Sequence, residues 1–509
     1  MTARRVMGVE TEYGISVPGD PGANPMILSG HVVTAYGGSG GARASRASWD
    51  YADEAPLRDA RGFEMGRGVA DPSQLTDIED PTMANLVLTN GARLYVDHAH
   101  PEYSSPEVRT PRDAVRWDRA GEAIMAEASR RLARTPGFPP VNLYKNNTDG
   151  KGASYGTHEN YLMRRETPFG EVVRHLTPFF VARQVICGAG RVGIGQDGGR
   201  TGFQVSQRAD FFEVEVGLET TLKRPIINTR DEPHAVADLY RRLHVIIGDA
   251  NQFDIASVLK LGTTSIVLAM TEDRALDGTL AVRHPVAELH AVSHDPTLRH
   301  LILLGDGRSV TALDLLWAYF ECATDYLGVR GETDPDTAEV MTLWEDVLDR
   351  LGRDPMLCAA DLDWVAKLQL LEGYRSRDGL GWDDARLAAI DIQWSDVRPD
   401  KGLVHRLRAR GRVRTLVSDE AIRVAMTSPP EDTRAYFRGR CLQKYGPQVV
   451  AASWDAVIFD VPGHRSLQRV PMLEPHRGTR EHVGDIIDRS PDARTLLSLL
   501  DAESTGQTG

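Results

Sequence analysis

Cysteine is scarce in this chain. Cys187, Cys322, Cys358 and Cys441 are the only four in 509 residues. No two stand close together, which argues against a CxxC redox motif, a zinc ribbon or the disulfide framework of small secreted domains. Basic charge is also in deficit, with 59 Lys and Arg against 72 Asp and Glu and a formal net charge of −13. Nucleic-acid binding normally leaves a basic footprint, so nucleic acid is not expected as the main partner. Long apolar runs are missing. The longest, such as residues 265–270, are far too short to span a bilayer. The start, Met1-Thr2-Ala3-Arg4-Arg5, leads toward glutamates and not into the apolar stretch of a secretory signal. The expectation is a soluble, cytoplasmic, monomeric protein with no membrane partner. There is no GKS or GKT phosphate loop and no G-x-S-x-G elbow. Gly188-Ala189-Gly190-Arg191-Val192-Gly193 fits G-x-G-x-x-G, but glycine-rich residues 195–199 follow where a dinucleotide site needs a helix. A loop is expected there.

The hydrophobic share of 41% is ordinary for a globular chain. The length exceeds what one core usually organises, so a large domain over 1–433 and a small one over 434–509 are expected. A strand is read over residues 5–17. Residues 85–89 and 92–97 flank Asn90-Gly91, a strong hairpin signal whose type I′ turn needs positive φ at both central residues. A second hairpin is read over 141–146 and 154–163, and strands over 203–208, 211–216 and 242–247. Helices are read over 111–134 and 170–185, then through most of the chain to 371. A short strand at 456–459 and a helix at 493–500 close the chain. Residues 37–81 read as a long, partly mobile insertion. Trp49-Asp50-Tyr51 and Leu57-Arg58-Asp59-Ala60-Arg61-Gly62-Phe63 within it argue against a plain spacer. Mixed helices and hairpins point to an antiparallel α+β sheet.

In Gly8-Val9-Glu10-Thr11-Glu12-Tyr13-Gly14, strand alternation puts Glu10 and Glu12 on one face, about 7 Å apart along the backbone. Two such carboxylates repel unless a cation lies between them, and hard cations take oxygen ligands. Arg93, Tyr95 and Asp97 share a face of the next hairpin, and Glu102 follows in His98-Ala99-His100-Pro101-Glu102. Several carboxylates around one site point to Mg²⁺ or Mn²⁺, and magnesium usually adds substrate phosphates to few carboxylates. His158 and Asn160 share a strand face, and His244 lies on a later strand; each alone is more often structural. Arg208 and Arg230 suit phosphate through the guanidinium fork. Arg406, Arg408, Arg410, Arg412 and Arg414 alternate at period two. They read as a solvated edge or as a groove for an acidic partner.

Together these segments, with Leu94-Tyr95-Val96-Asp97, Thr157-His158-Glu159-Asn160-Tyr161, Ile227-Asn228-Thr229-Arg230-Asp231-Glu232 and Ala452-Ser453-Trp454-Asp455, resemble the Pup ligase and depupylase family over essentially the whole chain. The insertion, and the short spacing from Asp97 to His100, resemble the depupylase branch more than the ligases. The resemblance implies a glutamine-synthetase-like curved antiparallel sheet backed by helices, with a small C-terminal domain. It implies ATP (or ADP plus phosphate) and Mg²⁺ as cofactors. Glu10, Tyr95 and Glu102 would bind metal, with Glu12, His158 and His244 around metals and phosphates. Arg93, Ser105 and Trp454 would contact the nucleotide, and Arg208 and Arg230 its phosphates. Asp97 would be the catalytic carboxylate, as nucleophile or as general base. The implied partners are Pup and pupylated proteins, with some of the 406–414 arginines lining the Pup groove. A proteasomal ATPase is a further candidate. The competing readings are a ligase of the same family, a small-molecule glutamate–amine ligase and an inactive Pup-binding regulator.

Overall fold

The computed structural model describes residues 2–37, 47–52, 54–66, 84–149, 152–331 and 333–506. Its centre is a six-stranded sheet. In chain order the strands are β1 (Met7–Glu12), β2 (Asn85–Val87), β3 (Arg93–Asp97), β4 (His100–Ser104), β5 (Thr157–Arg164) and β6 (Tyr240–Val245). In space they run β6-β5-β1-β4-β3-β2, every pair antiparallel. Alternation splits each strand between two faces. Met7, Val9, Leu94, Val96, Tyr161, Met163, Leu243 and Val245 are buried on the back. Helices α1 (Pro25–Gly37), α2 (Pro111–Leu132), α3 (Phe169–Cys187) and α4 (Asp254–Glu272) pack into the cores behind the sheet.

The helix limits follow from local chemistry. Thr110 caps α2 by accepting a hydrogen bond from the Asp113 amide, and Pro111 occupies the first turn, where its missing N–H costs nothing. Helix α4 is long and apolar enough to cross a membrane, yet it is buried inside the protein. Its polar residues bond locally: Thr263 and Thr264 donate to the carbonyls of Leu259 and Lys260 at 2.6 and 2.7 Å.

One charged pair braces the sheet from behind. Glu159 of β5 is fully buried, and Arg183 of α3 donates to its two oxygens at 2.7 and 2.8 Å. The Tyr161 hydroxyl adds a bond at 2.6 Å, and Arg183 reaches Thr264 of α4 at 2.6 Å. A buried charge persists only when paired and hydrogen-bonded.

A second, four-stranded sheet joins Val449–Ala452, Ala456–Phe459 and Gln468–Pro471 to Ser48–Trp49. Ser48–Trp49 pairs in parallel with Val449–Ala452. Ala47 and Trp49 pack in one core with Tyr436, Phe437, Val457 and Ile487. The described part of the insertion is also hydrogen-bonded elsewhere. Ala60 donates to the Thr229 carbonyl at 2.7 Å, Asp231 to the Arg58 carbonyl at 2.9 Å, and Ala55 to Glu232 at 2.6 Å. The remainder, 38–46, 53 and 67–83, lies outside the described residues.

Several expectations are corrected. The first strand breaks at Tyr13, whose buried ring enters a separate core, and Gly14–Ser16 leaves the main sheet. Asn142–Tyr144 pairs with Gly14–Ser16 and not with β5, so 141–146 and 154–163 do not form a hairpin. At Asn90-Gly91 only Gly91 has positive φ, and its amide donates back to Leu88. This is the glycine bulge of a longer loop and not a type I′ turn. Helix α1 was not anticipated from the sequence. Residues 403–409 are helical, so the arginine alternation does not describe a strand. Arg408 turns inward, donating to the Gln252 carbonyl and lying 3.5 Å from Glu122. It does not line a surface groove.

Arg183→Ala is expected to cost about 3–5 kcal/mol by leaving Glu159 unpaired, seen as a lower midpoint of thermal or denaturant unfolding. Replacing Glu159 and Arg183 together by Met should cost less than the single change. Equal loss in both variants would contradict the bracing role.

Candidate active site

Opposed residues of antiparallel strands share a face and sit about 4.5–5.5 Å apart. The register therefore lays out the front of the sheet as rows. One row runs His158, Glu10, Ser104, Arg93; the next runs Glu12, Glu102, Tyr95, Asn85. Asp97 stands opposite His100, and Asn160 opposite both Gly8 and His244. Ligand atoms of Glu12, Asp97 and Glu102 all lie within 4.8 Å of one another, as do those of Glu10, His158 and His244. The expected metal residues thus fall into two adjoining groups, with Tyr95 beside Glu102.

Each acid is held differently. Burial opposes the charge on Glu10, but His158 at 3.3 Å, Arg242 at 3.9 Å and the Asn160 amide at 3.0 Å bring its pKa down to about 2. Burial likewise opposes the charge on Glu12, yet its pKa is lowered, chiefly by His100, whose Nδ1 is 3.1 Å away. The Gly156 amide also donates to Glu12 at 2.6 Å. A Cβ at Gly156 would run into the His158 ring and Glu12, so this approach requires glycine. Asp97 is half-buried; desolvation opposes its charge, yet its pKa is lowered, with His98 Nδ1 2.8 Å from its Oδ1.

Glu102 has no such counter-charge. Burial, then Asp97, Glu12 and Glu10, push its pKa well above the usual range, and one of its oxygens is buried without a hydrogen bond. Three ionised acids around one forced toward neutrality form a donor set that fits a hard, oxygen-seeking cation such as Mg²⁺. Burial, with Glu102 next, keeps the Tyr95 phenol protonated, so it can offer only a neutral oxygen. Burial, with Arg242 and His158, pushes the His244 pKa well below the ordinary value, leaving a neutral imidazole suited to ligation.

Basic groups ring the acids. Arg242 donates to Asn160 and to Glu232, each at 3.0 Å, and Arg230 lies 3.6 Å from Glu232. Arg208 is buried, donating to the Ile246 carbonyl and to Ser154. Burial, with Arg224 nearby, brings its pKa down to about 9. Among the described residues neither Arg208 nor Arg224 has a carboxylate within 4.0 Å, an arrangement that receives an anion. Arg93 is enclosed by aromatic rings, 3.9 Å from the centre of Tyr95 and 4.3 Å from that of Trp49.

A cleft opens beside Glu10, lined among others by Gly8, Ser105, Asn160, His234, Arg242 and Trp454. Val6, Leu162, Pro233 and Pro475 give it apolar walls. With Trp454 they suit a flat heteroaromatic ring, while Glu10 and Arg242 suit charged groups. The Ser105 hydroxyl is partly committed, accepting from the Val9 amide at 2.9 Å. All the site residues expected from the sequence lie on this face or at its margins. Arg242, Arg224, His98 and His100 were missed. Arg242 was within reach of the alternation rule, standing two residues before His244 on the same face. Arg224 had no local signal.

The Pup-ligase protein family pattern matches residues 5–458. The depupylase of Acidothermus cellulolyticus is 64% identical over 498 residues, covering 97% of this chain and 99% of that one. The Pup deamidase/depupylase of Mycolicibacterium smegmatis is 55% identical over 498 residues, covering 98% and 99%. The Pup–protein ligase of Paenarthrobacter aurescens is 38% identical over 414 residues, 80% of this chain and 90% of its own. Among solved structures, the complex of Pup with its ligase PafA aligns with a TM-score of 0.79 at 32% identity, covering 99% of this chain and 95% of the other. The Pup ligase PafA in complex with ADP gives 0.72 at 34% identity, covering 84% and 96%.

A divalent cation at a hundred times its Kd is expected to add about 2.7 kcal/mol of stability, read as a raised thermal transition. Glu102→Gln should remove most of that gain. Because Glu102 must lose its proton to bind, cation affinity should fall as pH falls, with proton release on binding. A transition indifferent to Mg²⁺ and Mn²⁺ would refute the site.

Proposed function

The chain belongs to the Pup-ligase family, and from that membership we propose that it is a depupylase and Pup deamidase. It hydrolyses the isopeptide bond between the side chain of the C-terminal glutamate of Pup and a substrate lysine. On free Pup it converts the C-terminal glutamine to glutamate. The observation that carries this reading is the near-full-length likeness to depupylases, well above that to the ligases. The antiparallel sheet with its helical backing is the glutamine-synthetase-like α+β fold.

Metal binding is assigned to Glu10, Tyr95 and Glu102, with Glu12, His158 and His244 completing the two groups. The nucleotide is assigned to the cleft, with Trp454 and Ser105 toward its ring and sugar. Arg93, Arg208 and Arg230 lie around the acids. The apolar walls, the adjoining acids and the ADP bound by a relative support this placement. When bound, the cation would supply positive charge toward the carbonyl oxygen, and the nucleotide phosphates would help to hold that cation and complete the site.

Asp97 reacts in its ionised form, which His98 favours. As nucleophile, it attacks the γ-carbonyl carbon of the terminal Pup residue. The carbon–nitrogen bond then breaks, and the departing amine takes a proton from solvent. Water next cleaves the mixed anhydride, releasing the γ-carboxylate and restoring Asp97. As general base, Asp97 would instead deprotonate that water. A depressed pKa makes a weak base but leaves a nucleophile ionised, which favours the first route. Arg208 and Arg224 offer uncompensated positive charge to an anionic terminus or phosphate.

The ligase reading uses the same site in the synthetic direction. With ATP and Mg²⁺, the wild-type protein is expected to release free substrate from a Pup conjugate. Asp97→Ala should lower that rate by roughly a thousandfold or more. ATP-driven attachment of Pup without release would favour the ligase, and undiminished release by Asp97→Ala would remove Asp97 from its role.

A further inference from the structure

Strands β3 and β4 are joined by a two-residue turn, His98-Ala99, between the opposed pair Asp97 and His100. Two-residue hairpin loops need positive φ at their first central position, where glycine is the usual residue. His98 occupies that position with φ of 51°, and Ala99 is not in the positive region. A side chain other than glycine is unfavourable there, although His is among those that tolerate it better. The turn by itself would be better served by glycine or asparagine. The imidazole makes a contact with Asp97, Nδ1 to Oδ1 at 2.8 Å.

That contact matters because of where Asp97 stands. Glu12 and Glu102 lie within 4.8 Å of it, on the same face. The ionised Glu12 repels its carboxylate, and a carboxylate rotates readily about its terminal bond. His98 lies next to Asp97 in the turn, with its Nδ1 2.8 Å from one oxygen.

We propose that His98 is the positioning residue for Asp97: its Nδ1–H holds Oδ1, leaving Oδ2 to meet the carbonyl carbon of the substrate. This rests on the assignment of Asp97 to the reaction above. The short turn makes it possible, because a longer connection would not require His98 to take this conformation beside Asp97. It also means that backbone comfort and activity pull in opposite directions at residue 98.

The test compares His98→Gly, His98→Asn and His98→Gln with the wild type and Asp97→Ala. Each is assayed for steady-state cleavage of a Pup conjugate with ATP and Mg²⁺, and each is melted thermally. His98→Gly relaxes the turn, so its thermal transition should not fall, yet kcat should drop roughly tenfold to a hundredfold with KM nearly unchanged. His98→Asn keeps a donor near the Nδ1 position and tolerates positive φ, so it should recover most of kcat. His98→Gln carries its donor one carbon further out and should not. Wild-type kcat in His98→Gly, or no recovery in His98→Asn, would overturn the proposal. Full activity in Asp97→Ala would instead overturn the role of Asp97.

Discussion

Four carboxylates, Glu10, Glu12, Asp97 and Glu102, stand on one face of a sheet from which water is largely withdrawn. Two unit charges 4 Å apart repel by about 4 kcal/mol at an effective dielectric constant of 20. No sheet holds such a group without compensation, and much of the surrounding structure supplies it. His158, Asn160 and Arg242 take Glu10; His100 and the Gly156 amide take Glu12; His98 takes Asp97. Glu102 is left over and is driven toward its neutral form, which a cation would reverse by taking the place of its proton.

Such a site needs a rigid frame, because productive geometry is lost over about half an ångström. The frame is the back of the same strands. Glu159 and Tyr161 alternate with His158 and Asn160 along β5, so each polar residue in front is flanked by one locked behind. Arg183 ties that strand to α3 and α4. The cleft is closed by chain from further away: Trp454 stacks edge-on with Trp49, and residues 55–60 bond to the segment carrying Arg230 and Glu232. The described residues of 47–66 are thus bonded both to the C-terminal sheet and to the margin of the site.

Much of this was legible in the sequence. The pairing of faces in Glu10-Thr11-Glu12, in Arg93-Leu94-Tyr95-Val96-Asp97 and in His158-Glu159-Asn160 followed from a period of two. The helices around 111–134 and 170–185 were legible as well, because their patterns are long and their starts carry proline or local caps. The failures share a cause. Residues 141–146 look like one arm of a hairpin because strand signals do not name a partner, and the nearest strand in sequence was not the nearest in space. Arg408 looked like one of five equivalent arginines, since nothing nearby in sequence announces that Glu122 and Gln252 await it. Helix α1 sits beside a glycine-rich stretch, which hid a pattern whose apolar residues pack against α2.

Alternation, turn chemistry and residue identity are local properties, so the sequence alone determined which side chains share a face and that oxygen donors and imidazoles would be presented together. It also carried the family, because motifs in separate segments matched at once. Register, distance and charge state are not local. That Glu12 opposes Glu102, that Glu102 is driven toward neutrality, and that His98 is bent into a turn beside Asp97 depend on strands separated by up to some hundred and fifty residues meeting in one order. Only the packed sheet settles that order, because the pairing energy is shared among strands and the helices behind them.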